Sequence, residues 1–268
     1  IAGALQKFLE NILYQWFLAC SKKLSYRNFY FSGGVAQNIK AGMSLNKSKN
    51  FEKIYIPPSA GDSSISLGAC YKSASDYCEK NKLNKLNYIK PLKNLYLGSE
   101  ILDSEIKAFI KKNKIIKKYI LIENITPKKI AKEIFKGNII ARCSGRMEFG
   151  LRSLGNRSIL CDPRFYSNIN KINFKIKKRD FWMPFTPTIL NEDFNKYIID
   201  PKNLISKFMS MAFDTTKLGR QNLQACIHPA DYTARPQRLN EFDNPDYYKI
   251  IYEFKKLSGV GALLNTSF

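Results

Sequence analysis

The sequence predicts an α/β fold on three observations. Short apolar runs end twice in glycine turns that lead into helical spacing, at Ser32-Gly33-Gly34 and at Ser59-Ala60-Gly61-Asp62. A Lys- and Asn-rich stretch from Cys78 to Pro91, with little periodicity, reads as the connection between two units. From about Leu97 a second series of helical and strand patterns begins. Strand, glycine turn and helix in repeated order build a sheet whose strands are joined by helices.

The elements follow in order. Residues 1–24 carry Ile1, Leu5, Phe8, Leu9, Ile12, Leu13, Trp16 and Phe17 at helical spacing, so a helix with one continuous apolar face is expected. Phe29-Tyr30-Phe31 reads as a buried strand and Ile54-Tyr55-Ile56 as another, stopped by Pro57-Pro58. Ser63 to Ala74 has helical spacing. In the second series, Asp103 or Ser104 can cap a helix that turns Ile106, Phe109 and Ile110 inward. Thr126-Pro127 is a cap and first-turn pair for a helix through Lys136, which Gly137 stops. Strands are predicted at Asn138 to Arg142, Pro187 to Leu190 and Gly261 to Leu264.

Composition removes several functions. With 44% apolar residues in 268, general disorder is excluded. No run approaches about 20 uninterrupted apolar residues, so no membrane span is predicted. The six cysteines are scattered without a C-x-x-C pair, which argues against zinc and for a reducing, cytoplasmic setting. His228 is the single histidine, which argues against a Ser–His–Asp triad. The chain opens on Ile1 without a basic-then-apolar leader and reads as a fragment. The formal charge of +22 comes from 34 Lys and 10 Arg against 22 acidic residues. The lysines are spread through nearly every segment, including Lys111 to Lys118, and read as a solvated surface. Six of the ten arginines, however, fall between Arg142 and Arg179. Arginine in a chain that defaults to lysine points to sites needing a planar fork for phosphate or carboxylate.

Five constellations can carry chemistry. Gly33 and Gly34 allow close backbone approach at a helix start, either as a phosphate-binding turn or as a simple tight turn. Asp62 at the second junction is either a helix cap or a carboxylate directed at a metal or ribose. Gly145 to Arg164 holds three glycines, four arginines and an asparagine, a poor core element that suits a polyanion cradle. If residues 173–179 are extended, Lys177 and Arg179 share a face as a two-cation clamp. Thr233-Ala234-Arg235-Pro236-Gln237 and Asn265-Thr266-Ser267 add a further cation and short hydrogen-bonding side chains.

Gly33-Gly34-Val35-Ala36 with Asn38, Ala60-Gly61-Asp62, Gly145-Arg146-Met147-Glu148-Phe149-Gly150 through Asn156-Arg157-Ser158, Lys177-x-Arg179, Thr233 to Gln237 and Leu264 to Phe268 occur in this order. With these motifs the chain resembles the O-carbamoyltransferases that act on nodulation factors, antibiotics and polysaccharides. The resemblance implies that residues 1–93 are the C-terminal part of an actin-like, sugar-kinase-like transfer domain. It implies that residues 94–268 are an α+β domain similar to threonylcarbamoyl-adenylate synthase, truncated at its end. It further implies formation of carbamoyl-adenylate from carbamoyl phosphate and ATP, then transfer of the carbamoyl group to a hydroxyl of a small molecule or glycan. The implied cofactors are ATP with Mg and a divalent metal, iron, in the transfer domain.

Residue by residue, the resemblance makes Asp62 a metal ligand and Gly33, Gly34 and Asn38 an adenylate-binding turn. It puts Arg152, Arg157, Lys177, Arg179, Arg235, Asn265 and Ser267 on the anion-binding face. Met183 and Leu151 stand where that family usually has Arg and Pro. His228 is expected to orient structure or substrate, and the metal-binding histidines expected upstream are absent from the chain. An actin-like kinase or ATPase, and a basic nucleic-acid-binding module, are the competing readings; arginine clustered with glycine speaks against the second. Neither the acceptor nor the oligomeric state is legible.

Overall fold

The computed structural model describes residues 1–180, 182–204 and 206–268. Helix α1 (Ala2–Leu24) ends where Ser25 turns into the left-handed region. It leads to β1 (Asn28–Tyr30), a 3-10 turn at Gly34–Gln37, α2 (Ile39–Lys47) and β2 (Lys53–Tyr55). β1 and β2 pair in parallel, with Phe29 opposite Ile54. Phe17 of α1 meets Phe29, Phe31 and Phe51 edge-on and closes the core of this unit. The apolar face of α1 is narrower than its spacing predicts. Leu13 and Phe17 are buried, whereas Leu5, Phe8, Ile12 and Trp16 remain exposed because only one side of the helix meets α2 and the strands.

Helix α3 (Ile65–Lys80) is longer than expected, and α4 (Lys85–Tyr88) occupies part of the predicted connection. Helix α5 (Asp103–Lys112) forms where expected, but its N-cap is Leu102, whose N–H donates to Glu105 Oε2 at 2.7 Å. Its Ile106 and Phe109 face solvent and not a core. Helix α6 (Pro127–Phe135) begins as the sequence predicts, with Thr126 Oγ1 accepting from Lys129 N–H at 3.3 Å.

The second half centres on a five-stranded sheet. Its strands are β3 (Ile140–Cys143), β4 (Arg157–Cys161), β5 (Thr186–Leu190), β9 (Gln237–Leu239) and β10 (Ala262–Thr266), in the order β3-β4-β10-β5-β9. Only β5 and β9 run parallel; the other pairs are antiparallel. Part of the Arg- and Gly-rich run is therefore core: Ser158 through Cys161 are buried in β4, contrary to its reading as a cradle throughout. Apolar residues alternate poorly there because both faces of the strand are covered.

Between β4 and β5 lies α7 (Ser167–Ile172), continued by a widened π-type turn at Asn173–Lys177. Residues 173–177 are thus helical and not extended, and the turn ends where Lys178 takes a positive φ of 48°. The rest comprises α8 (Phe194–Tyr197), β6 (Ile198–Ile199), β7 (Phe213–Thr215), α9 (Lys217–Asn222), β8 (Thr233–Ala234) and α10 (Pro245–Ser258). Strands β6, β7 and β8 form a small antiparallel sheet. Helix α10 buries Tyr247, Ile250, Ile251 and Phe254 against α6 and the large sheet. Burial of a large aliphatic or aromatic side chain contributes about 1.5–3 kcal/mol. Cross-links join the halves: Lys202 Nζ donates to the Ser48 and Phe51 carbonyls at 2.9 and 2.7 Å, and Lys40 pairs with Asp231 at 2.7 Å.

Candidate anion-binding site

The ends of several elements meet at a cavity of about 100 Å³. Leu151, Arg152 and Ser153 enter from the loop before β4, and Arg179 enters after the π-type turn. Phe185 and Thr186 lie at the start of β5, Arg235 between β8 and β9, and Asn265 to Ser267 at the end of β10. No Asp or Glu among the described residues lines it.

Three guanidinium groups share this space without a carboxylate partner among the described residues. Burial lowers the proton affinity of Arg152 and of Arg179. Burial first, and then the charge of Arg152, push Arg235 down to about 9. Arg235 nevertheless stays cationic at neutral pH, so the repulsion is held in the fold. Its Nε is buried without an acceptor, and so is Nη2 of Arg179. An unpaired buried donor costs about 1–3 kcal/mol, more when charged.

The neighbours hold these groups in place. Arg179 Nε donates to Asn173 Oδ1 at 2.7 Å, and its guanidinium stacks 4.6 Å from the Phe185 ring. Lys177 does not line the cavity; its ammonium donates to the Ser267 carbonyl on the rim, and burial followed by the charge of Arg179 lowers its proton affinity. Asn265 is fully buried and its amide is spent internally. Its Nδ2 donates to the Ser153 carbonyl at 3.2 Å and to Thr188 Oγ1 at 3.1 Å, while its Oδ1 accepts from Ser153 Oγ at 2.9 Å. Asn265 thus fixes the loop carrying Arg152 onto β10.

The remaining clustered arginines are spent elsewhere. Arg157, expected at the anion, donates to the carbonyls of Ser144 and Gly145 at 3.0 Å, Asn156 at 3.1 Å and Ser99 at 3.4 Å, and does not line the cavity. Arg146 grips the Leu97 and Gly98 carbonyls, Arg142 the Gly155 carbonyl, and Arg164 pairs with Asp162 at 2.7 Å. Glu148 completes this loop scaffold: its Oε1 accepts from the N–H groups of Leu154, Asn156 and Arg157 at 2.8, 2.7 and 3.1 Å.

The two glycine turns of the first half lie side by side, with Gly33 N–H donating to the Ala60 carbonyl at 2.7 Å. Gly33 takes a φ of 101°, and a side chain added at Gly33 or Gly34 would meet nothing within 4 Å. That open backbone can accept a ligand. Asn38 is already occupied: it caps α2 by accepting from Ala41 N–H at 3.0 Å and exchanges hydrogen bonds with Gln6 at 2.8 and 3.2 Å. Asp62 opens an exposed 3-10 turn. Among the described residues no group of three or more His, Cys, Asp or Glu could hold a metal ion, so the residues present do not by themselves fit one.

Arg152, Leu151 and Met209 line both the cationic cavity and a narrower crevice bounded by Ala36, Pro58 and Ala60. The two spaces share these three lining residues, and Gly33 and Gly34 line neither. Ser153 belongs to the Gly145–Arg164 run, and Phe185 and Thr186 to the Pro184-Phe185-Thr186-Pro187 turn that follows Arg179 in the sequence, motifs that give them no role by themselves; Met209 carries no sequence signal, since only tertiary contact brings it there. Leu151 faces both spaces, whereas Met183 and His228 line neither.

Fold and cavity define an α/β protein in which three arginines from separate elements line one cavity. Residues 1–71 match the carbamoyltransferase N-terminus family and residues 131–268 the carbamoyltransferase C-terminus family. The chain belongs to the carbamoyltransferase family. It is 35% identical to an uncharacterised protein of Methanocaldococcus jannaschii, over 100% of this chain and 43% of that protein. It is 32% identical to nodulation protein NolNO of Sinorhizobium fredii, over 100% of this chain and 38% of the relative. Nodulation protein NolO of Bradyrhizobium diazoefficiens is 30% identical, over 100% of this chain and 48% of the relative. The chain thus spans less than half the length of these curated relatives. No helix among the described residues is long and apolar enough to cross a membrane.

Proposed function

We propose that the cationic cavity binds ATP and carbamoyl phosphate: water cleaves carbamoyl phosphate to carbamate and inorganic phosphate, carbamate displaces pyrophosphate from the α-phosphate of ATP to give carbamoyl-adenylate, and the carbamoyl group then passes to a hydroxyl of a small molecule or glycan with release of AMP. The observation that carries this reading is the pair of unpaired buried donors, Arg235 Nε and Arg179 Nη2, in a cavity without a carboxylate. ATP with carbamoyl phosphate brings roughly six negative charges together, which require cations or metal nearby. Preorganised guanidinium groups stabilise charge developing on the α-phosphate and on the departing pyrophosphate; loss of one such donor typically costs on the order of 10²–10³ in rate.

Arg152 is the cation at the junction, so it is the group best situated to follow the adenylate toward the glycine turns. Gly33 and Gly34 supply open backbone in the first half of the chain. Asp62 is the one metal ligand that the family resemblance gives this chain, and no step is derived through a metal. Mg accompanying ATP would be met by the phosphates themselves.

The test is pyrophosphate exchange into ATP with and without carbamoyl phosphate, in the parent protein and in Arg235→Met. Exchange that requires carbamoyl phosphate and disappears in the variant supports the proposal. Conversion of ATP to ADP without pyrophosphate exchange, independent of carbamoyl phosphate, favours an actin-like kinase or ATPase.

A further inference from the structure

A second feature, separate from the anion cavity, lies between Glu100 and α6. From Ile101 to Thr126 no residue is buried, and only Ile110 and Ile115 are even partly covered. Among the described residues helix α5 packs chiefly on the 3-10 turn Ile115–Lys117 that follows it. Leu102, Ile106, Phe109 and Ile110 form one stripe of α5 at helical spacing, and Phe109 is 62% exposed. After the helix, Ile116, Tyr119, Ile120, Leu121 and Ile122 extend the apolar surface, with Ile120 91% exposed. Lys107, Lys111, Lys112, Lys114, Lys117 and Lys118 run alongside, and no acidic residue occurs from Ile106 to Ile122.

The segment is tethered at both ends. Gly98 N–H donates to the Met147 carbonyl at 2.9 Å and Met147 N–H to the Ser99 carbonyl at 3.0 Å, while Thr126 caps α6 at the far end. It is a surface flap anchored at its two ends. A solvated lysine run needs no explanation, but one interleaved with this much exposed aliphatic surface does.

We propose that residues 101–125 are a docking surface for an anionic lipid bilayer, with α5 lying in the plane of the interface. A bilayer surface offers what both halves of the pattern lack: acyl chains for Phe109, Ile116 and Ile120–Ile122, and anionic headgroups for the flanking lysines. Nucleic acid would satisfy the lysines but leave the aliphatic side chains in water, and stacking surfaces for bases are scarce here. Lysine suits a diffuse anionic surface, whereas arginine suits fixed bidentate partners. Helix α5 is about 15 Å long, enough to lie flat at an interface and too short to cross one.

The experiment is co-sedimentation of the full chain with vesicles of phosphatidylcholine alone and of phosphatidylcholine mixed with phosphatidylglycerol. Partition into the mixed vesicles but not the neutral ones is expected, weakening as salt is raised. Ile120→Asn/Leu121→Asn/Ile122→Asn should lower the partition coefficient on the order of 10²-fold. Lys111→Gln/Lys112→Gln/Lys117→Gln/Lys118→Gln should do the same by a different chemistry. Lys22→Gln/Lys23→Gln/Lys49→Gln/Lys80→Gln removes equal charge elsewhere and should leave partition unchanged. Retention of the wild-type melting temperature shows that each variant is folded, and the two flap variants test the surface independently. The proposal is overturned by absence of binding to mixed vesicles, by an equal loss in the control variant, or by full binding in the triple Asn variant. Tighter binding to a DNA oligonucleotide than to mixed vesicles, or a doubling of mass in solution that the triple Asn variant abolishes, would also overturn it.

Discussion

Arg235 lies within range of the charge of Arg152, and burial together with that repulsion pushes its guanidinium down to about 9. Two like charges held around a space without carboxylates destabilise the empty protein and favour the bound one. Function here has been built at the expense of fold stability.

Arg235→Met should therefore stabilise the ligand-free protein by about 1 kcal/mol, a rise of roughly 2–4 °C in melting temperature for a chain of this size. The same variant should lose the thermal shift that inorganic phosphate or ATP gives the parent. A calorimetric scan with and without phosphate measures both effects.

The pH dependence follows from the same group. Its folded value lies below its unfolded one, so the folded chain releases this proton first as pH rises. The penalty of the buried charge is fully present below about pH 9 and is relieved above it. Phosphate affinity, read by titration calorimetry, should fall over that same window while intrinsic stability gains.

Arg157 and Glu148 give the opposite pattern, because both hold the loop. Arg157→Ala leaves the carbonyls of Ser144 and Gly145 without this donor, while the Asn156 carbonyl still accepts from Ser144 N–H, and should cost about 2–3 kcal/mol in denaturant unfolding. Glu148→Gln keeps an acceptor but loses the charge on three hydrogen bonds, and about 1 kcal/mol is expected. Hydrogen exchange at Leu154, Asn156 and Arg157 should accelerate in both. An Arg157→Ala protein of unchanged stability that has lost anion binding would return Arg157 to the site.

Asn38→Ala should cost about 1–2 kcal/mol through loss of the α2 cap and of the bonds to Gln6. Phosphate binding at the Arg235 cavity should be unaffected. Asn38 reads at sequence level as an adenylate contact, and this variant separates the two roles.

Acid stability should depend on Asp231. Burial acts to raise its proton affinity, but Lys40 and the hydroxyl and N–H of Thr233 outweigh it and hold the carboxyl at about 2. Its contribution is present above the ordinary aspartate range and is lost as pH falls from about 4 toward 2. Asp231→Asn should flatten the acid limb of the pH–stability curve by no more than about 1 kcal/mol, since the pair is partly exposed and screened.

Much of the local structure could be read from residue order. Thr126-Pro127 starts α6, Gly137 ends it, and the two glycine turns sit at the ends of parallel strands as the α/β order requires. The cationic site was legible in part: Arg152, Arg179 and Arg235 converge, and Ser267 lies on the rim. Arg157 could not be sorted from them, because an arginine gripping carbonyls and one awaiting an anion look identical in a motif. Lys177 and Arg179 share a face only if their segment is extended, and a period of two over so few residues does not distinguish a strand from the widened helical turn found there. β4 was hidden because a strand covered on both faces, flanked by arginine and glycine, lacks alternation.

The sequence by itself determined the helix starts, the glycine turns, the surplus of lysine and the places where arginine replaces it. These depend on neighbours a few residues apart, where capping, φ preference and side-chain spacing act. Only the tertiary structure decided which arginines keep their donors free, that Asn265 is a brace, and that the apolar stripe of α5 faces outward. Those outcomes depend on which distant carbonyls and carboxylates reach a side chain first, and residue order does not specify that.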